Sequence, residues 1–276
     1  MEIRFQVSPK ETAGMQTEEL RTNFLCESII GKDEINTVYS HYDRMIVGGT
    51  SPAKRSLLLD ADPELRAAYF LERREIGIIN VGGKGLLETE SGKYELDKLS
   101  CLYLGRGTKK IQFSSNSATD PAVFYFLSAP AHATYPNRLM KKEEASPVSV
   151  GAVETSNQRT IYKYIHTEGI QSCQLVMGLT VLSNGSVWNS VPPHTHTRRM
   201  EAYFYFDLAE TQRVFHFMGE PQQTRHLVMS NHQAVISPPW SIHCGSGTSN
   251  YAFIWGMAGE NMTFADMDPA PVAELK

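Results

Sequence analysis

Short apolar runs bounded by turn residues dominate this chain, and they leave little room for long helices. Runs rich in Val, Ile, Tyr and Phe occur at 75–81, 101–104, 123–127, 160–166, 202–206, 213–217, 233–236 and 251–255. Between them lie turn clusters such as GGKG (82–85), ESGK (90–93), SNGS (183–186) and GSGTSN (245–250). Many short strands with regular turn signals predict an all-β sandwich or barrel. Helical signals are few. Asp62-Pro63-Glu64 reads as an N-cap with Pro at the first helical position, predicting a turn or two through Ala68. Thr17-Glu18-Glu19-Leu20 predicts a second short helix, and residues 136–144 a third.

The polar stretch 141–158 lies near the midpoint and is the best linker candidate. The two halves echo each other faintly. Leu71-Glu72-Arg73-Arg74-Glu75 precedes GIINVGG as Arg198-Arg199-Met200-Glu201 precedes AYFYFDL, with an acidic residue opening each apolar run. Residues 101–107 likewise correspond to 235–240. The expectation is two related β-domains, 1–145 and 146–276.

Composition removes several function classes. The 276 residues are 41% hydrophobic and 20% charged, enough to bury a core rather than remain disordered. Lys plus Arg number 26 against 30 Asp plus Glu, with no long block of like charge, so no basic patch for nucleic acid is expected. The start lacks the apolar core of a secretory signal. The most apolar late stretch, 251–258, is far short of the roughly 20 residues that a membrane span needs. Cys26, Cys101, Cys173 and Cys244 form no CxxC, which suits reduced thiols and a cytoplasmic location.

The segment that carries chemistry is Pro192-Pro193-His194-Thr195-His196-Thr197-Arg198-Arg199-Met200-Glu201. His194 and His196 are two apart and share one face of an extended chain. Glu201 follows His196 by an odd offset, so a turn or bulge between Thr197 and Met200 must re-aim it. His243, after Pro238-Pro239-Trp240-Ser241-Ile242, sits between two apolar runs, and antiparallel pairing could bring it beside the first two. An isolated H-x-H is more often a surface pair; the downstream Glu and the Pro-preceded His favour a metal site. Three neutral imidazoles and one carboxylate suit a divalent Zn, Mn, Fe, Co or Ni ion, and the lack of thiolates favours a catalytic over a structural zinc site.

The pattern H-x-H-x4-E followed by P-x4-H resembles the two motifs of the cupin superfamily, jelly-roll β-barrels that often hold one metal. Trp240 and Gly247 depart from it, standing where members often carry Gly and Asn. A wider resemblance runs through VYSHYDRMIVGG (38–49), LERREIGIINVGGKG (71–85), LYLGRGTK (102–109), PPHTHTRRMEAYFYF (192–206) and DMDP (266–269). Together these resemble the 5-keto-4-deoxyuronate isomerase family, the 4-deoxy-L-threo-5-hexosulose-uronate ketol-isomerases. The resemblance implies a bicupin: two jelly-roll type barrels with a few short helices. It implies Zn2+, one per subunit with other divalent metals conceivable, on His194, His196, Glu201 and His243 in the C-terminal barrel. It also implies a small deoxy-ketouronate substrate, a role in pectin and uronate breakdown, and a homohexamer.

For the chemistry, Glu201 is a candidate base if it can leave the metal. Tyr203, Tyr205, His216 and His232 are weaker candidates. Of Arg198 and Arg199, one is expected to face the site and hold the substrate carboxylate, the other to be solvated or paired. Cys244 needs no role, because isomerisation requires no covalent intermediate. In the first half Glu75, Arg106 and Lys110 stand roughly where ligands would be, but Lys110 cannot ligate when charged, and His41 and His132 lack ligand spacing. The N-terminal barrel is therefore expected to be metal-free. The alternatives are another cupin metalloenzyme, such as an Fe-dependent dioxygenase, and a non-catalytic sugar-binding bicupin.

Overall fold

Strands that are apolar on both faces must be covered on both faces, and the two largest sheets of the molecule obey this. A computed structural model describes residues 1–276. Its first large sheet orders Glu2–Arg4, Ile35–Ser40, Ile46–Ser51, Phe124–Pro130, Arg74–Asn80, Cys101–Leu104 and Arg138–Met140, with Gly31–Lys32 paired beside Ile46–Ser51. The second orders Val148–Val150, Arg159–Ile165, Val176–Leu182, Ala252–Gly259, Arg199–Phe206, Gln233–Ser237 and Leu25–Cys26. Each is completed by a smaller sheet. The first has Leu57–Leu58, Gln112–Ser115, Gly85–Thr89 and Gly92–Leu96; the second has Trp188–Asn189, Cys244–Gly247, Val214–Glu220 and Gln223–Met229. Apart from the extra Gly31–Lys32 strand, the two sets share one strand order, giving two jelly-roll barrels. All eight runs read as strands from sequence are strands.

Inward faces of the first barrel are apolar at their centre, with Arg74, Asn80 and Ser128 buried toward the ends of the same alternating sets. Ile76 and Ile78 meet Leu102, Leu104, Phe113, Phe124 and Phe126 in one buried apolar cluster. The outer faces of the large sheets pack on each other and make the main core: Tyr125 stacks on Phe204 with ring centroids 4.3 Å apart. Glycines allow this approach. A Cβ on Gly256 would lie 2.2 Å from Leu127 Cδ1, and one on Gly77 would lie 2.7 Å from Ile165 Cδ1.

Phase separates Glu75 from Glu201. Glu75 is fully buried, but it sits next to the inward Ile76 and so faces the other barrel. A one-residue offset flips a side chain to the opposite face. The Glu75 carboxylate accepts from three consecutive amides, Cys173 (2.7 Å), Gln174 (2.9 Å) and Leu175 (2.9 Å), and from the Tyr103 hydroxyl (2.7 Å). It is a joint between the barrels, not a vestigial ligand. Arg106 donates to the carbonyls of Glu72 and His132, and Lys110 is exposed.

The helices differ from expectation in instructive ways. Asp62 caps a single 3-10 turn, Pro63–Leu65, which ends at Arg66 with φ +47° instead of running to Ala68. Thr17–Phe24 is helical, with Gln16 as N-cap, and buries Leu20 and Phe24. Residues 136–144 hold no α-helix: Arg138–Met140 is a strand paired with Cys101–Leu104, followed by the 3-10 turn Lys142–Glu144. An unread helix, Pro9–Thr12, has a capping box between Ser8 and Glu11. The polar stretch 141–158 is not a free tether, because Val148–Val150 within it forms a sheet edge against Arg159–Ile165. Strand Leu25–Cys26 crosses to pair with Val235 and Ala234.

Replacing Glu75 by Gln puts an amide donor among four converging donors. A loss of about 2–4 kcal/mol in unfolding free energy is expected, read as a lower denaturant midpoint. An unchanged midpoint would remove Glu75 as the joint.

Candidate metal centre

Two strand residues, His194 and Glu201, and two loop residues, His196 and His243, form the cluster of four expected ligands. His194-Thr195 forms a short pairing with Asp268–Pro269. The chain then turns at Thr197-Arg198, the Arg199 amide donating to the His196 carbonyl at 3.2 Å, and enters the Arg199–Phe206 strand. This turn re-aims Glu201, whose Oε2 lies 2.9 Å from His196 Nε2. His243 follows the turn closed by the Ser241 amide on the Pro238 carbonyl. Its Nε2 is 2.9 Å from Glu201 Oε2 and 3.0 Å from His194 Nε2.

One donor atom from each of His194, His196, Glu201 and His243 falls within 4.8 Å of the others, three of the residues buried and His194 half-buried. A tetrahedral ion with ligands at about 2.0 Å sets donor separations near 3.3 Å, so the cluster fits a cation with slight expansion. The donor chemistry fits as well. Two imidazole Nε2 atoms face each other, and a cation between them satisfies both lone pairs. His196 Nδ1 lies 2.9 Å from the Arg199 carbonyl, which fixes the proton there and leaves Nε2 free to ligate.

Electrostatics favour the ligating forms of His194 and Glu201, while His196 is drawn toward protonation by Glu201. Burial, reinforced by neighbouring His243, pushes His194 down to about 3, so it is neutral. Burial alone would raise Glu201, but the His243 and His196 imidazoles outweigh it and hold the carboxyl well below the usual range. For His196, burial is opposed and outweighed by the hydrogen bond to Glu201, which raises it.

The cluster opens on a cavity of about 300 Å³ whose walls include His194, Glu201, Tyr203, Ser190, Arg159 and Arg199. Of the base candidates, Glu201 and Tyr203 reach this cavity; the Tyr203 hydroxyl is 3.0 Å from Ser190 Oγ. Tyr205 and His216 lie deeper, joined hydroxyl to Nδ1 at 2.8 Å. His232 is on the other face of the sheet, stacked on Phe204 at 5.9 Å. Burial pushes the Cys244 thiol up to about 12, which disables it as a nucleophile.

Neither expected arginine has a guanidinium to spare. Arg198 pairs with Asp266 (2.7 and 2.9 Å) and Asp268 (2.8 Å). Arg199 is fully buried and donates to the carbonyls of Thr263 (2.7 Å), Asp266 (3.0 Å) and Phe264 (3.3 Å). Both hold the C-terminal segment beside the site. Asp43, which no spacing rule connects to residue 200, accepts from the Met200 amide at 2.7 Å and so braces the ligand strand from the first half of the chain. Arg159 was equally invisible, since nothing in an extended apolar run marks it.

Comparison with known proteins follows the same lines. The model of the KduI/IolB family matches residues 25–271. A 4-deoxy-L-threo-5-hexosulose-uronate ketol-isomerase from Shouchella clausii is 54% identical over 276 residues, covering 100% of each chain. One from Caldicellulosiruptor bescii is 50% identical with the same coverage. An IolB-like protein from Salmonella typhimurium has a TM-score of 0.67 at 15% identity, over 87% of this chain and 94% of that one. Bacillus subtilis oxalate decarboxylase has a TM-score of 0.56 at 8% identity, over 81% and 71% respectively. The structural likenesses show a shared cupin fold. With a family match across most of its length and half its residues shared with full-length relatives, the chain belongs to the KduI/IolB family.

Proposed function

We propose that this chain is a metal-dependent aldose–ketose isomerase that converts 5-dehydro-4-deoxy-D-glucuronate to 3-deoxy-D-glycero-2,5-hexodiulosonate in pectin and uronate degradation. The observation that carries the reading is a four-residue ligand cluster, His194, His196, Glu201 and His243, open to a substrate-sized cavity. It sits in a chain that is half identical to ketol-isomerases. The reaction removes a proton at C2 and delivers one to C1, and no electrons leave the substrate. No redox cofactor is needed.

A divalent cation on these ligands, Zn2+ and one per subunit in this reading, supplies Lewis acidity toward the carbonyl and its neighbouring hydroxyl. Glu201 turns Oε2 toward His196 and His243, while Oε1 makes no hydrogen bond. Oε1 is the group assigned to carry the proton from C2 to C1. Tyr203, tethered by Ser190, donates to a substrate oxygen. Arg198 and Arg199 act as positioning residues that fix the 263–268 segment beside the cavity. Residues 1–145 form a metal-free barrel that supports packing, and residues 146–276 hold the metal. A cytoplasmic homohexamer completes the reading, carried by the resemblance; a light-scattering mass other than six chains would remove that part.

His194→Ala is expected to lower bound metal and to reduce kcat by about 10³-fold or more. Turnover on the ketouronate, with metal content measured alongside, checks this. Chelation should abolish turnover and metal return should restore it. Turnover should be the same without oxygen; oxygen uptake would instead favour a dioxygenase.

The metal-free protein should also be acid-sensitive. Burial, with His243 nearby, holds folded His216 at about 3, as it does His194, against 6.5 for an ordinary histidine. Below about pH 6.5 the unfolded chain takes protons that the folded chain refuses. Stability is therefore full above that pH and falls as pH drops toward 3. The denaturant midpoint measured across this range should decline; a flat profile would contradict the burial of neutral imidazoles.

A further inference from the structure

A ketouronate has its reacting carbons at one end and a carboxylate at the other, four bonds beyond C2. The cavity beside the ligand cluster has a matching polarity. Its floor crosses four adjacent strands, with Glu201 and Tyr203 on one flank and Arg159 and Ile161 on the other. Three basic side chains line it: Arg159, His194 and Arg199. His194 is a neutral imidazole turned to the cluster. Both terminal nitrogens of Arg199 are taken by backbone carbonyls, and its unpartnered Nε is buried out of reach.

Arg159 is different. It is half-buried at the start of the Arg159–Ile165 strand, makes one side-chain hydrogen bond, to the Asn157 carbonyl at 2.8 Å, and has no acidic partner. Arg198, at the same end of the barrel, has two aspartates. A guanidinium drawn partly out of water without an anion is unfavourable unless a ligand provides one. Its planar fork matches a carboxylate in bidentate fashion.

We propose that Arg159 binds the C6 carboxylate of the substrate and makes the cavity selective for uronates over neutral sugars. Its role rests on the isomerase reading above, and it takes over the task that the sequence assigned to Arg198 or Arg199. Arg159 touches the far end of the substrate, so it sets binding and orientation and takes no part in proton transfer.

The test uses the metal-loaded full chain as wild type, Arg159→Gln and Arg159→Lys. Each is assayed on the deoxy-ketouronate and on its C6 methyl ester. The wild type should prefer the acid. Arg159→Gln should raise KM for the acid by about 10- to 100-fold and leave kcat within a few-fold. KM for the ester and metal content should not change. Arg159→Lys should recover part of the loss, since it keeps the charge without the fork. A retained preference for the acid in Arg159→Gln, or a parallel loss of kcat and metal, would overturn the assignment. If the wild type turns over neither compound, the isomerase reading fails. The anchor is then judged by calorimetry with D-glucuronate against D-glucose. Loss of glucuronate binding alone in Arg159→Gln supports it, and binding equal to wild type, or absent from wild type, overturns it.

Discussion

The cluster of His194, His196, Glu201 and His243 depends on a charge that has no contact with water. Arg199 is wholly inside the protein at the root of the strand that carries Glu201. Burying a cation is costly unless its hydrogen bonds are met, and here three carbonyls of the 263–266 stretch meet the terminal nitrogens. That requirement fixes the C-terminal segment against the barrel. Once fixed, the segment supplies the strand on which His194 pairs and the aspartates that hold Arg198. The turn at Thr197-Arg198 is thus held from outside as well as by its own backbone hydrogen bond. Glu201 and His196 sit on either side of it, so their 2.9 Å approach follows from the placement of Arg199.

Two barrels with one topology have been given different interiors. In the first, the central inward positions are Ile, Leu and Phe, with Arg74, Asn80 and Ser128 toward the strand ends. In the second, the corresponding region holds the ligands, Tyr203, Tyr205 and His216, linked by hydrogen bonds to Ser190 and among themselves. What distinguishes the halves is that inward positions of the second carry clustered imidazoles and a carboxylate where the centre of the first carries hydrocarbon.

The sequence made the β-class and the ligand quartet legible for physical reasons. Strand periodicity is local, and His194, His196 and Glu201 lie within one short segment whose turn is demanded by their parity. His243 is legible because Pro238 and Pro239 mark where the preceding strand stops. The failures share a cause. The echo between Glu75 and Glu201 aligned letters but missed a one-residue shift in facing, which only the neighbouring sheet decides. Residues 136–144 look helical in isolation, yet Cys101–Leu104 offers an open edge, and Arg138–Met140 takes it. Asp43 and Arg159 gain their meaning from chain distant in sequence. One of the two arginines beside the ligands reads as substrate-facing because the aspartate and carbonyl partners that hold both lie more than sixty residues downstream.

The pairing of Leu25–Cys26 with Gln233–Ser237 bears on how the molecule is made. A nascent chain emerging from the ribosome exposes the 25–26 edge early, and its partner strand emerges only near the end of synthesis. The second barrel's sheet therefore takes its edge strand from chain made long before the rest of it. The early segment, with the apolar face of Thr17–Phe24 attached, has to wait without its partners, a long-range closure of the kind that slows folding. The same stitch ties the two barrels together against proteolysis between them, since cutting the midpoint would leave the first half holding a strand that belongs to the second barrel.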